Sequence, residues 1–365
     1  MFVQINASFE KQNFPIIISN NSLFNLSLYL NNFNEKQVLI VADKIFKSKF
    51  HPDKLLQKIF TKYDTFFCNA GIKRKNFKSI FSILTFLNKN NCDKESIIIA
   101  IGGGVIGDLC GFVASIYKRG IRVVHVPTTM TSAVDSCIGG KTGINEFNQV
   151  NLIGTYHHPD AIFIDTRFLK TLNKRDFISG IVESIKKALI SNKNFFYYIN
   201  NNSSKILEKQ EEFIIELIKK SLEYKIFYAS NDIKEKSLRM LLNYGHTFGQ
   251  SIESYYGINE NNITHGEAVS LGMICAAYLA IYLNKGSLIK EHLEILKKYN
   301  LPTHIKNIKG LKKPNYSILT KFVDNDKKKK IDSNRFIICS KIGSAEIINV
   351  KNKAIINNCF KKIIN

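Results

Sequence analysis

Residues 97–145 read IIIAIGGGVIGDLCGFVASIYKRGIRVVHVPTTMTSAVDSCIGGKTGIN. Ile97 to Ile101 are β-branched or small and apolar, the pattern of a strand buried on both faces. Gly102, Gly103, Gly104, Gly107 and Asp108 follow. Glycine permits a tight turn and close approach of a ligand to the backbone. Leu109 to Tyr117 then read as a helix with a small, apolar packed face. Strand, glycine turn and helix together offer backbone N–H groups and a helix N-terminus to a pyrophosphate. The glycines do not keep the usual G-x-G-x-x-G spacing, and glycine turns after strands are common in α/β proteins, so both readings stand at this point. Val123 to Val126 is a second buried strand, ended by Pro127. Thr128, Thr129, Thr131 and Ser132 then gather hydroxyls at its carboxyl end, where open α/β sheets bind ligands. Asp135 and Lys141 flank the small-residue run Ser136 to Gly140.

On the N-terminal side, strands and helices alternate. Met1–Asn13 and Pro15–Ser19 read as a hairpin and Ser22–Leu30 as a helix. Val38–Val41 is a buried strand followed by Ala42 and Asp43. An acid there either accepts from a ribose hydroxyl or caps the segment from Lys44. Leu55–Tyr63 and Phe77–Asn88 are helical, with Thr65–Cys68 a strand between them. The alternation predicts a parallel sheet with helices on both faces.

Ala161–Asp165 is the last clear strand. Beyond Thr166, helical periodicity marks Phe177–Ile190, Phe195–Asn200, Glu211–Ser230, Met240–Tyr256, Ala268–Leu283 and Ile289–Tyr299. Asn201–Lys205 and Asn259–Asn262 read as polar loops, and the tail from Ile337 as a small hairpin. The expected organisation is a Rossmann-like α/β domain over residues 1–170 and a mostly helical domain over residues 171–365.

The chain has 365 residues, a net charge of +22 and seven cysteines, none in a C-x-x-C pair. The scattered cysteines suit free thiols in a reducing cytoplasm rather than a disulfide framework. No start resembling a signal peptide is present. Ala268–Leu283, the most apolar stretch, falls short of the ~20 residues a bilayer span needs. The charge reads either as a polyanion partner or as a compositional bias. Lys, Asn, Ile and Phe are abundant throughout, and the lysines are dispersed apart from Lys327–Lys330. A basic nucleic-acid-binding protein would cluster Lys and Arg with aromatic platforms; no such cluster stands out, and no nucleic-acid or membrane partner is expected.

The helical half holds three candidate metal ligands. Glu183 shares a helix face with Lys186, three residues on. His246 stands in LLNYGHTFGQSIE and His265 in THGEA. One carboxylate and two imidazoles form a set that binds catalytic zinc and leaves room for water or substrate. Taken by themselves, a Glu and two His far apart in the chain are more often unrelated residues.

The blocks GGGVIGD, YKRG, PTT and VDSCIGGKTGIN, in this order and spacing, resemble the 3-dehydroquinate synthases of the sugar-phosphate cyclase superfamily, and the resemblance runs to about Gly343. It implies that Glu183, His246 and His265 hold a divalent metal, Zn2+ or Co2+. It implies that Asp43, Gly103, Gly104, Val105, Asp108, Thr128, Thr129, Lys141 and Thr171 contact NAD. Lys141, Lys186, Lys225, Arg239 and Lys328 (or Lys327) match positions that hold phosphate and carboxylate. Asp135, Asn151 and Asn243 match polar positions of the substrate pocket, and Arg119 one that reaches the site of a neighbouring subunit in a homodimer. The implied reaction converts 3-deoxy-D-arabino-heptulosonate 7-phosphate into 3-dehydroquinate and phosphate in the shikimate pathway, with NAD used catalytically.

Three positions depart from the family pattern. Lys75 replaces the acid of G-E-x-x-K, Val150 replaces the lysine of G-K-N, and Gln250 replaces the second histidine of G-H-T-x-G-H. Rival expectations are a sister cyclase acting on another sugar phosphate, and a metal-dependent polyol dehydrogenase that releases NADH.

Overall fold

Ile97–Gly102 is a strand buried along its whole length, and it lies inside a seven-stranded sheet. The computed structural model describes residues 1–10, 12–47, 53–147, 149–256, 263–324 and 334–365. Two compact units share the chain: Met1–Asn173 with Ile214–Ile226, and Lys174–Phe213 with Phe227–Asn365.

In the first unit the strands are β1 (Phe2–Phe9), β2 (Gln12–Ser19), β3 (Val38–Asp43), β4 (Asp64–Cys68), β5 (Ile97–Gly102), β6 (Arg122–Pro127), β7 (Lys141–Glu146), β8 (Gln149–Tyr156) and β9 (Ala161–Asp165). The large sheet runs β1-β2-β9-β6-β5-β3-β4. Only the β1–β2 pair is antiparallel; the other pairings are parallel. Helices α1 (Ser22–Leu30) and α2 (Lys54–Lys62) cover one face, where Leu23, Leu26, Leu56 and Ile59 pack with Ile97, Ile99 and Ile101. Helices α3 (Phe77–Lys89) and α4 (Gly104–Ile116) cover the other, where Ile80, Ile83, Leu109 and Val113 pack with Ile98 and Ala100. Both faces of β5 are therefore covered, which is why its sequence is apolar without alternation. The helix expected from Leu109 begins earlier, at Gly104, because the glycine run itself forms its first turn.

Chain order reverses at β5. The chain leaves β3 towards β4 and leaves β5 towards β6, on the opposite side. The carboxyl ends of β3 and β5 thus flank a topological switch point, the ligand-binding position of open α/β sheets. Ala42 pairs with Ile101, so Asp43 and the glycine turn stand at one level. β7 and β8 form a separate antiparallel hairpin that the sequence pattern did not announce. A short helix, α5 (Thr166–Thr171), ends the segment after β9.

The second unit is mostly helical: α6 (Lys174–Ser191), α7 (Lys193–Asn201), α8 (Ser203–Leu207), part of α9 (Glu211–Ser230), α10 (His246–Tyr256), α11 (His265–Tyr282), α12 (Ile289–Lys298), α13 (Tyr316–Asp324) and α14 (Lys353–Ile364), with a hairpin of β10 (Asn334–Lys341) and β11 (Ser344–Val350). The expected loop Asn201–Lys205 instead enters α8. The expected helix Met240–Tyr256 is broken at Gly245, whose φ is 75°, so that His246 opens a new helix. The expected polar loop Asn259–Asn262 lies outside the described residues.

α11 is apolar on all sides and buried over most of its length. Two of its glycines set its distance from its neighbours. A Cβ at Gly272 would lie 2.0 Å from the Gly245 carbonyl oxygen, and one at Gly266 2.1 Å from that of Ser179. Only hydrogen fits there, so α11 lies directly against the start of α10 and against α6. Among the described residues, no helix is long and apolar enough to cross a membrane.

Candidate active site

In the first unit, Asp43, Gly103, Gly104, Val105, Thr128 and Thr129 of the expected nucleotide-binding residues stand at the carboxyl ends of β3, β5 and β6. Gly103 precedes α4, and Gly104 and Val105 form its first turn, where backbone N–H groups lack helical partners. A Cβ at Gly103 would come within 2.8 Å of Thr129 Cγ2, and one at Gly104 within 2.9 Å of Ser136 Oγ. The turn can therefore lie flat on the segment after β6. That segment is fastened by Thr128 N–H donating to Gly102 O at 3.0 Å and by Thr129 Oγ1 accepting Ser132 N–H at 3.3 Å. The Asp43 carboxylate accepts Ile45 N–H at 3.1 Å and so caps the turn Lys44–Lys47. Burial pushes its carboxyl above the ordinary value. Thr171 closes α5, exposed, its hydroxyl donating to Phe168 O at 2.7 Å.

Two ion pairs of the first unit lie near one another. Lys225, 7% exposed, donates to both Asp135 Oδ2 and Asp135 O at 2.7 Å. Asp108 is ion-paired with Lys75. Burial pushes the Asp108 carboxyl up, and Lys75 and Lys225 pull it back. Lys75 also donates to the Asn151 side chain. Lys141 opens β7 and is exposed. Arg119, exposed, follows α4 with a φ of 68°.

The second unit holds the metal-ligand set. Glu183 lies mid-way along α6 and is 1% exposed. Its Oε2 accepts from Lys186. Its Oε1 has no hydrogen-bond partner, yet lies 3.4 Å from His265 Nε2 and 3.6 Å from His246 Nε2. Ligand atoms of these three residues lie within 4.8 Å of one another. Burial opposes the Glu183 charge, but Lys186, His246 and His265 hold its carboxyl well below the usual range. A buried, unpartnered carboxylate oxygen facing two imidazole nitrogens fits a divalent cation, the partner it otherwise lacks. The donor set of one oxygen and two nitrogens suits zinc or cobalt and leaves coordination positions open.

The sequence reading missed the supports of this set. His246 Nδ1 lies 3.2 Å from Tyr244 O, and His265 Nδ1 lies 3.1 Å from Glu253 Oε1. Each contact makes Nδ1 the donor, so that Nε2 is the nitrogen each ring would turn to a bound metal ion. Glu253 was visible in principle, because it stands seven residues after His246, two turns along one helix face. Thr264 and Glu267 form a capping box on α11, and Arg175 clamps the Glu267 carboxylate through two contacts of 2.7 Å. The start of the helix that carries His265 is thereby fixed.

Arg239 is 2% exposed, its backbone N–H donating to Asp232 at 3.0 Å and its guanidinium to Ile233 O at 2.9 Å. Asn243 donates to Glu235. Gln250 is exposed on α10, one turn after His246. Lys328 and Lys327 lie outside the described residues.

Two family models cover most of the chain: 3-dehydroquinate synthase N-terminal over residues 65–179 and 3-dehydroquinate synthase C-terminal over residues 180–329. The chain belongs to the 3-dehydroquinate synthase family. It is 42% identical to the 3-dehydroquinate synthase of Dictyoglomus thermophilum over 294 residues, 79% of either chain. Against that of Pelagibacter ubique the identity is 36%, over 99% of this chain and 98% of the relative. The fold is shared with a 2-epi-5-epi-valiolone synthase from Streptomyces hygroscopicus solved with NAD+ and Zn2+ bound (TM-score 0.85, 22% identity, 98% of each chain). It is shared more distantly with an iron-containing alcohol dehydrogenase (TM-score 0.67, 14% identity, 98% of this chain and 99% of that one).

Proposed function

We infer that this chain catalyses the reaction of its family, the conversion of 3-deoxy-D-arabino-heptulosonate 7-phosphate to 3-dehydroquinate and phosphate. One observation carries the reading within the family: the buried, unpartnered Glu183 Oε1 set between His246 Nε2 and His265 Nε2. That arrangement supports a working metal centre despite the departures at positions 75, 150 and 250. When bound, NAD supplies a hydride acceptor that is regenerated within the cycle, and the divalent ion polarises the substrate hydroxyl that is oxidised.

The chain's own residues bind and orient. The first turn of α4, with Gly103, Gly104 and Val105, offers N–H groups to the pyrophosphate, and Asp43, Thr128, Thr129, Lys141 and Thr171 complete the nucleotide set. Lys225, fixed on Asp135, is a cation for an acidic substrate, as are Lys186 and Arg239 in the other unit. Arg offers a paired fork to an oxyanion, whereas Lys acts as a point charge. Asn151 and Asn243 supply neutral polar contacts, and Gln250 orients a hydroxyl or water without carrying charge. The substrate phosphate takes the proton lost before its elimination, so no dedicated protein base is assigned. Arg119, exposed after α4, is the group we assign to a neighbouring subunit's site in a homodimer, and Lys328 to the substrate anions. Seven free, buried cysteines fit a reducing cytoplasm.

A substrate panel tests the reading. Phosphate release is measured with the heptulosonate 7-phosphate, with glucose 6-phosphate and with sedoheptulose 7-phosphate. Preference for the first supports the assignment; preference for either of the others transfers the chain to a sister cyclase activity.

A further inference from the structure

Lys75 is a buried lysine with no role in the mechanism above. It is 6% exposed and lies in the connection between β4 and α3, just before Asn76, which caps α3. Its ammonium reaches two side chains from elsewhere in the sequence: the Asp108 carboxylate on α4 and the Asn151 amide oxygen on β8. The hairpin of β7 and β8 is irregular at this point. Ile144 pairs with Ile153 and Glu146 with Gln149, so residues 150–152 stand opposite Asn145 alone. Asn151 takes a φ of 50° within this bulge, a left-handed conformation that Asn tolerates better than most residues. Bulges re-aim a side chain and recur beside active sites.

The bulge is clipped to the Lys75 segment by further bonds. Asn145 N–H donates to Lys75 O at 2.7 Å and Phe77 N–H to Glu146 Oε1 at 2.8 Å, while within the hairpin Asn151 N–H donates to Asn145 Oδ1 at 2.9 Å. An amide oxygen and a carboxylate both turned onto one ammonium are fixed in direction. Position 150, one residue before Asn151, carries Val and is 39% exposed. The resemblance implies a lysine at position 150 and an acid at position 75; here position 150 carries the uncharged Val, and the buried cation beside the bulge is Lys75.

We propose that Lys75 is a positioning residue: it ties Asp108 to Asn151 and supplies, from the β4–α3 connection, the cation that position 150 lacks. This deepens the reading under Proposed function and rests on it, because Asn151 is there assigned to the substrate, and Asp108, on the helix whose first turn is assigned to the nucleotide, is an NAD contact that the resemblance implies. A cation supplied from one of two segments that meet at one point leaves a specific signature. Removing it at position 75 is harmful, and restoring it at position 150 compensates.

The variants are Lys75→Met, Lys75→Gln and Val150→Lys, the last alone and combined with Lys75→Met. Each is read by NADH titration, by kcat and KM with the heptulosonate phosphate, and by thermal unfolding. Two neutral replacements at position 75 guard against one failing to fold. Lys75→Met or Lys75→Gln is expected to weaken NADH about tenfold or more and to lower kcat/KM by at least about tenfold, the scale on which supporting contacts act. Val150→Lys in the Lys75→Met background restores both to within about threefold of the parent, whereas a merely structural lysine would not be replaced from another segment. Unchanged NADH affinity and kcat/KM in the neutral variants would overturn the proposal, as would a Val150→Lys addition that restores neither. A parent protein without turnover would contradict the function instead; the NADH titration would still judge Lys75.

Discussion

Glu253 Oε1 lies 3.1 Å from His265 Nδ1, while the other nitrogen of the same ring lies 3.4 Å from Glu183. The carboxylate fixes the ring angle and would make Nε2 the more basic metal ligand. Glu253→Gln retains an acceptor but loses the charge. Metal affinity is expected to fall about 10- to 100-fold, with activity recovered at raised metal concentration. Equilibrium dialysis against zinc checks this, and unchanged affinity would refute the supporting role of Glu253.

The contact of α11 with the start of α10 leaves no room for a methyl group at position 272. Gly272→Ala forces the two helices apart and is expected to cost about 1–3 kcal/mol of stability or more. Gly71→Ala, where nothing lies within 4 Å of the added carbon, is the contrasting control. It is expected to be neutral or slightly stabilising through the unfolded chain. Denaturant midpoints with unchanged slopes decide both.

Much of this architecture is legible in sequence because burial on both faces writes itself into composition. β5 and α11 are apolar without alternation for the same physical reason. The break at Gly245 is harder to read, since helical spacing continues across it and only the Cβ-free approach to α11 demands it. The hairpin of β7 and β8 is hidden because Gly143, Gly154, Asn145 and Asn151 interrupt its β signal. At the candidate site, the metal ligands stand in recognisable blocks, whereas their supports do not. Arg175 and Glu267 are 92 residues apart, and Lys75 and Asn151 are 76 apart. Such pairings depend on tertiary packing and leave no local pattern.

His292 is fully buried in the second unit, donating from Nδ1 to Leu288 O at 2.6 Å and accepting at Nε2 from the Tyr244 hydroxyl at 2.8 Å. Burial lowers its pKa to about 4. The unfolded chain takes up this proton near the ordinary value of ~6.5, and the folded protein only near 4. The contribution of His292 is therefore fully present above pH ~6.5 and is lost as the pH falls toward 4, by about 3 kcal/mol in all. His292→Gln is expected to be less stable at neutral pH but to show a shallower decline between those values. Parallel stability-against-pH curves for the two proteins would show that His292 does not titrate this way.

Gln250 stands one turn after His246 on α10 and is exposed. It can orient a hydroxyl but cannot become cationic. Gln250→His is expected to change kcat by less than about tenfold with metal content unaltered, because a lost proton-transfer group would cost roughly 10²-fold or more. A hundredfold gain in the histidine variant would mean that the natural chain lacks a proton-transfer group.

Hydride that leaves the substrate and returns to it makes NAD a catalyst rather than a reactant. The direct test supplies the metal-loaded protein with the heptulosonate phosphate and NAD+ well below the substrate concentration, and follows phosphate and NADH together. Phosphate release exceeding the added NAD+ many times over, with no matching build-up of NADH, is the expected result. NADH accumulating in step with product, or phosphate release stopping when NAD+ is consumed, would contradict it and place the chain among the dehydrogenases that share its fold.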